Sequence, residues 1–138
     1  YAALWWLGLP VKAALAGQWL ASAAIAATTV LVARSAAEWP LKVAVLALGS
    51  VMVVPYVLAH DLAVPLAACV WYLSARADEP AAIETGLLAL AWLLPFPLCF
   101  LLQANGLPIT EPVLAALYVA FAARALAPSP HPVRMAIA

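Results

Sequence analysis

The chain has 138 residues, of which 69% are hydrophobic and 9% charged, with a formal net charge of zero; its mean hydropathy is +1.08. Soluble domains carry about 25% charged residues, so the composition excludes an ordinary soluble domain and points to an integral membrane protein. The charge balance offers no basic patch for nucleic acid. Cys69 and Cys99 each lie in an apolar run, form no CxxC or metal-ligand spacing, and read as small buried hydrophobes.

YAALWWLGLP reads as the tail of an earlier segment, and with Tyr1 in the first position the expectation is a fragment of a longer membrane protein. A helix rises 1.5 Å per residue, so about 30 Å of hydrocarbon needs about 20 residues. Ala13–Ala33 meets that length without a charge and carries Gln18 among apolar neighbours. Arg34, Glu38 and Lys42 then mark a loop, where Trp39-Pro40 suits an interfacial helix start. Leu41–Leu58 is the second segment, interrupted by Pro55, and Asp61–Ser74 the third, with Pro65 in its first turns. One helix from Leu41 to Ala75 would be about 52 Å long, too long for a simple span, so two helices meet near Pro55–Asp61. Ala75–Pro80 is a loop whose Asp78 and Glu79 favour the positive N-terminus of the next helix. Ala81–Gln103 is the fourth segment, with Glu84 in its first turn and a break or kink at Pro95 and Pro97. Gln103–Pro108 is a turn. Thr110-Glu111-Pro112 opens a fifth segment running to about Leu126, with Thr110 or Glu111 as its cap and Pro112 at its first position. The Pro-rich tail, 128–138, reads as disordered. The expected fold class is therefore all-α: a polytopic transmembrane helix bundle over residues 1–127, with about five spans and room in YAALWWLGLP for the end of a sixth.

His60-Asp61 stands out because it interrupts an almost wholly apolar stretch. An ionisable group at that depth is expensive unless it meets a partner or a wet cavity, and non-helical backbone there must be buried in protein or line such a cavity. Alternating the segments puts Arg34, Lys42, Arg76, Arg124 and Arg134 on one side and Lys12 on the other. The positive-inside rule makes the first side cytoplasmic. His60-Asp61 and the Gln103–Glu111 loop then face outward, and the C-terminal tail is cytoplasmic.

The pattern LGLP, LAGQWLA, LVAR and WPLKVAVLALGSVMVVPYVLAHDLAVPLAACVWYL resembles the C-terminal half of glycosyltransferase family 87, polytopic enzymes of the GT-C class that include alpha-mannosyltransferases of mycobacterial lipid synthesis. The resemblance covers roughly Leu7 to Leu126. It rests on Val54-Pro55-Tyr56, followed by His60-Asp61-Leu62 at the start of the next helix, with Gln18 where such proteins often carry a helix Gln. His60 departs from the usual aromatic, and Val54 from the usual Ser. The resemblance implies transfer of a hexose, typically mannose, from a polyprenyl-phosphate donor to a glycolipid or glycan acceptor at the outer face of a bacterial plasma membrane. Abundant Ala, Leu and Val with scarce Lys suit a high-GC bacterial source. The essential acidic residue of GT-C enzymes lies in an early outward loop that this chain does not contain, so no residue here is named catalytic. Some GT-C enzymes use a divalent metal; this chain supplies Asp61 and His60 and no fuller ligand set, and no cofactor is evident.

The candidate substrate-binding residues are thus His60, Asp61, Tyr56 and Gln18, each with a structural alternative. Asp61 can accept hydrogen bonds from sugar hydroxyls, and His60 can donate to phosphate or shuttle a proton; alternatively Asp61 caps the following helix. Tyr56 can stack on a sugar or serve as an interfacial aromatic. Gln18 can bind ligand or join two helices. Glu84 reads as a solvated or dipole-stabilised charge. A transporter with Pro-broken helices and a non-catalytic membrane scaffold are the rival functions. No Walker loop, GxGxxG, HExxH or GxSxG motif is present.

Overall fold

The computed structural model describes residues 4–5, 7–54, 62–75, 80–95, 105 and 109–127. Among them the chain is all-helical: α1 Val11–Arg34, α2 Trp39–Val53, α3 Ala63–Ser74, α4 Ala82–Leu93 and α5 Thr110–Leu126. Ahead of α1 a helical turn closes at Gly8. The Gly8 amide donates to Trp5 O (2.9 Å) and the Leu9 amide to Leu4 O (3.2 Å), and Gly8 has φ +85. That bond pair with a left-handed glycine is a Schellman closure, and Pro10 behind it starts α1.

The helix ends follow local chemistry. Pro40 occupies the first turn of α2, where a missing N–H loses no intrahelical bond. The second segment, expected to reach Leu58, stops at Val53, and Val54 is extended (φ -77, ψ 133). Pro55 accounts for both facts, since proline pushes its predecessor out of the helical region. Leu94 by contrast keeps helical angles (φ -54, ψ -41) before Pro95, so the missing proline N–H ends that helix without reshaping its neighbour. At α5 the expected cap is corrected: neither Thr110 nor Glu111 takes that position, which falls on Ile109, itself helical (φ -80, ψ -36) and without a side-chain cap.

α1 and α2 form an antiparallel hairpin. Lys42 Nζ donates to Ala33 O (3.2 Å) at one end, and Ser22 Oγ to Val53 O (3.1 Å) towards the other. α5 runs parallel to α1: Tyr118 lies beside Thr29, and Ser35 at the end of α1 lies beside Ala125. α2 is central, packing on α1, α3 and α5, while α4 packs on α3 and α5. The core combines Ala44, Val45 and Leu48 of α2 with Ala68, Cys69 and Tyr72 of α3 and Leu114, Leu117 and Phe121 of α5, all buried.

What faces outward is also apolar. Trp19, Leu20, Leu31, Trp39, Leu46, Ile83, Trp92 and Val119 are all at least half exposed. The inward stripe of α1 instead runs Ala14, Gln18, Ser22, Ile25, Thr29 and Val32, a spacing of three and four that keeps one helix face. On α1 the polar Gln18, Ser22 and Thr29 therefore share the inward face with Ile25 and Val32, while Trp19, Leu20 and Leu31 point outward, a pattern unlike the polar outer face of a helix on a soluble domain. α1, at 24 residues, is the one helix among the described residues long and apolar enough to cross a membrane by itself, and only 11% of its most apolar stretch is buried. α2, α3 and α4 are apolar but shorter.

Candidate functional site

Hydrogen bonds tie the bundle at three levels. Towards one end, Gln18 Nε2 donates to Met52 O (3.4 Å) and to Ser22 Oγ (3.3 Å), while Ser22 Oγ donates to Val53 O (3.1 Å). Gln18 is half-buried and Ser22 buried. Met52 and Val53 are the last two residues of α2, whose carbonyls have no partner within the helix. α1 therefore supplies donors where α2 runs out of them. The chain from Val54 leads from this point through Tyr56, His60 and Asp61 to Leu62, the cap position of α3. Tyr56, His60 and Asp61 lie outside the described residues, so Gln18 is the one member of the candidate set whose surroundings are described.

The opposite end collects the positive charge. Arg34 ends α1, Lys42 stands in the first turn of α2 and Arg124 in the last turn of α5, and the pairing of the helices brings these three ends together. Arg76 and Arg134 lie outside the described residues. Tyr72, in the last turn of α3, donates its hydroxyl to Glu84 Oε1 (2.7 Å), and Glu84 Oε2 accepts the Ala81 amide (3.0 Å) at the start of α4. The Tyr72 ring stacks on Phe121 at 4.0 Å between centroids, with the planes 6° apart. Of the two readings of Glu84 the structure agrees with the dipole-stabilised one, since it stands in the first turn of α4, and its half-buried carboxylate also joins α3 to α4 by holding the tyrosine that packs on α5.

Midway, Tyr118 donates to Ile25 O (2.8 Å). Its single proton being used there, the 2.8 Å contact with Thr29 Oγ1 has Thr29 as donor. Gly49 makes the approach possible, since a Cβ on it would stand 2.9 Å from Thr29 Oγ1 and 3.3 Å from Tyr118 Cε2. Thr110 Oγ1, at the N-terminus of α5, is buried and has no hydrogen-bond partner among the described residues.

Ser22, Thr29, Tyr72, Glu84 and Tyr118 are absent from the candidate set read from sequence. The spacing Gln18, Ser22, Thr29 carries a usable signal, because four and seven residues apart is one face of a helix. Tyr72 and Glu84 carry none, because their contact spans a loop. Cys69 is buried and free, and Cys99 lies outside the described residues. Among the described residues no group of three or more His, Cys, Asp or Glu side chains could hold a metal ion.

The chain matches no family model, no curated protein and no solved structure.

Proposed function

We propose that this chain is the C-terminal membrane portion of a polytopic glycosyltransferase, moving a hexose, with mannose the first candidate, from a polyprenyl-phosphate donor to a glycolipid or glycan acceptor at the outer face. The observation that carries the membrane part is the inverted surface of α1: Trp19, Leu20, Val30 and Leu31 outward, Gln18, Ser22 and Thr29 inward. In lipid there is no hydrophobic drive between helices, and interhelical hydrogen bonds and close packing at small residues hold bundles together. The Gln18–Met52, Ser22–Val53 and Thr29–Tyr118–Ile25 contacts and the Gly49 approach fit that regime. The grouping of Arg34, Lys42 and Arg124 at one end supports an orientation with that end cytoplasmic.

The glycosyltransferase part rests on the resemblance carried by Val54-Pro55-Tyr56 and His60-Asp61-Leu62. On this reading the prenyl chain lies along the apolar wall of the bundle and the sugar phosphate sits at its outer mouth. Asp61 then accepts from sugar hydroxyls, His60 meets the phosphate, and Tyr56 and Gln18 border the same region. The catalytic carboxylate comes from an upstream part of the parent protein, and no step here passes through a metal.

The test is polyprenyl-phosphate-mannose-dependent transfer in membranes carrying the full-length protein, wild type beside Asp61→Asn and His60→Ala at matched expression. The proposal expects wild-type transfer that falls at least tenfold in one of the variants. Transfer untouched by both substitutions leaves the pair a helix cap. No transfer with any lipid-linked sugar points to the transporter or scaffold instead.

A further inference from the structure

The geometry assigns Gln18 and Ser22 to positioning: together they form a C-cap for α2, donated by α1, that fixes the direction in which the chain leaves that helix at Val54. This role rests on the reading of Tyr56, His60 and Asp61 as substrate residues, and it gives Gln18 a different task from ligand binding.

α2 ends without the usual devices. Its last turn holds no basic residue, and the residue after it is Val54 in an extended conformation rather than a left-handed glycine. Its terminal carbonyls therefore need donors from elsewhere, and in an apolar medium an unmet carbonyl is expensive. Gln18 and Ser22, one helical turn apart, provide them in series. The amide of Gln18 reaches both Met52 O and Ser22 Oγ, and the hydroxyl of Ser22, so oriented, is directed at Val53 O. Each bond polarises the next. Because both donors sit on α1, whose opposite end is tied to α2 through Lys42 and Ala33, the end of α2 is held in position on the hairpin. The direction of chain exit at Val54 is held with it. Tyr56 follows two residues later.

The experiment is hydrogen exchange on the full-length protein in detergent micelles, comparing wild type with Ser22→Ala, Gln18→Leu and Ser22→Thr, alongside KM and kcat for the lipid-linked donor in membranes. Loss of one such hydrogen bond corresponds to roughly fivefold faster local opening. The expected result is that order of acceleration at the amides of Ser50–Val54 in Ser22→Ala and Gln18→Leu, with Leu41–Leu48 and α3 unchanged. Ser22→Thr, which keeps the hydroxyl, restores wild-type protection. In the transfer assay the same two variants lower kcat with KM little changed. Unchanged exchange at Ser50–Val54, or acceleration spread evenly over α1 and α2, overturns the positioning role. So does a rise in KM alone, the signature of a direct ligand contact. Exchange is read without any transfer activity, so a wild type that transfers nothing defeats the glycosyltransferase reading and leaves the cap itself still measured.

Discussion

Gly49 of α2 faces both α1 and α5, and the packing around it leaves no room for a side chain. A Cβ there would meet Thr29 Oγ1 at 2.9 Å and Tyr118 Cε2 at 3.3 Å, the two groups whose hydrogen bond joins α1 to α5. Gly49→Val therefore has to displace one of them, and Gly49→Ala strains the same pair. Overpacking of this kind costs about 1–3 kcal/mol, so thermal unfolding in micelles should show Gly49→Val clearly less stable than wild type and Gly49→Ala between the two. Thr29→Ala, which removes the nearest obstructing atom, should recover part of the Gly49→Ala loss in a double-mutant cycle. At this scale the sequence speaks unevenly. Gln18 is visible as a polar residue among apolar ones, and its hydrogen bond to α2 agrees with the structural alternative weighed for it. Glu84 is visible only as a charge near a helix start. Its partner Tyr72 is identified by the way α3 and α4 turn back on each other, which no local pattern encodes.

Helices were more legible than their ends. The expected span Ala13–Ala33 is α1, Val11–Arg34, and each of α2 to α5 overlaps one of the other expected segments. Prolines account for most of the differences. Pro55 follows the end of α2 at Val53, short of the expected Leu58. Pro112 falls at the third position of α5 instead of the first, because the helix begins at Thr110, and in that first turn its missing N–H still removes no bond. The face of each helix was harder to read, since an element apolar all round gives no stripe in the sequence; the polar residues Gln18, Ser22 and Thr29 mark the inward side of α1 instead. The outward side makes a discriminating prediction. Leu20, in the middle of α1, is 73% exposed, and a charge at the centre of a span costs about 2.5–3.5 kcal/mol on insertion scales. Leu20→Lys should lower the fraction of protein that resists alkaline extraction from membranes, whereas Leu20→Phe should not. A helix that faced water would respond in the opposite sense, tolerating Lys and suffering from Phe.

At the scale of the whole molecule, the helix pairings define two ends. One gathers Arg34, Lys42 and Arg124 together with the Tyr72–Glu84 contact, and the other holds the Gln18–Ser22 donors and the start of α5. Of the five basic residues that alternation groups at one end, Arg34, Lys42 and Arg124 are described and do lie together, because each turn between these helices moves the chain to the other end. Of the candidate substrate residues Gln18 alone is described, and Tyr56, His60 and Asp61 lie outside the described residues. We propose a bundle that crosses the bilayer repeatedly with its basic end in the cytoplasm. Its most direct test is side-specific labelling by a membrane-impermeant maleimide of single cysteines in intact and permeabilised cells. Leu9→Cys, Ala36→Cys, Asn105→Cys and Ala127→Cys would each be placed in a background with Cys69→Ala and Cys99→Ala. Positions 9 and 105 should label in intact cells, and positions 36 and 127 only after permeabilisation. Labelling of 36 and 105 from the same side, or recovery of the protein in the soluble fraction, would contradict it.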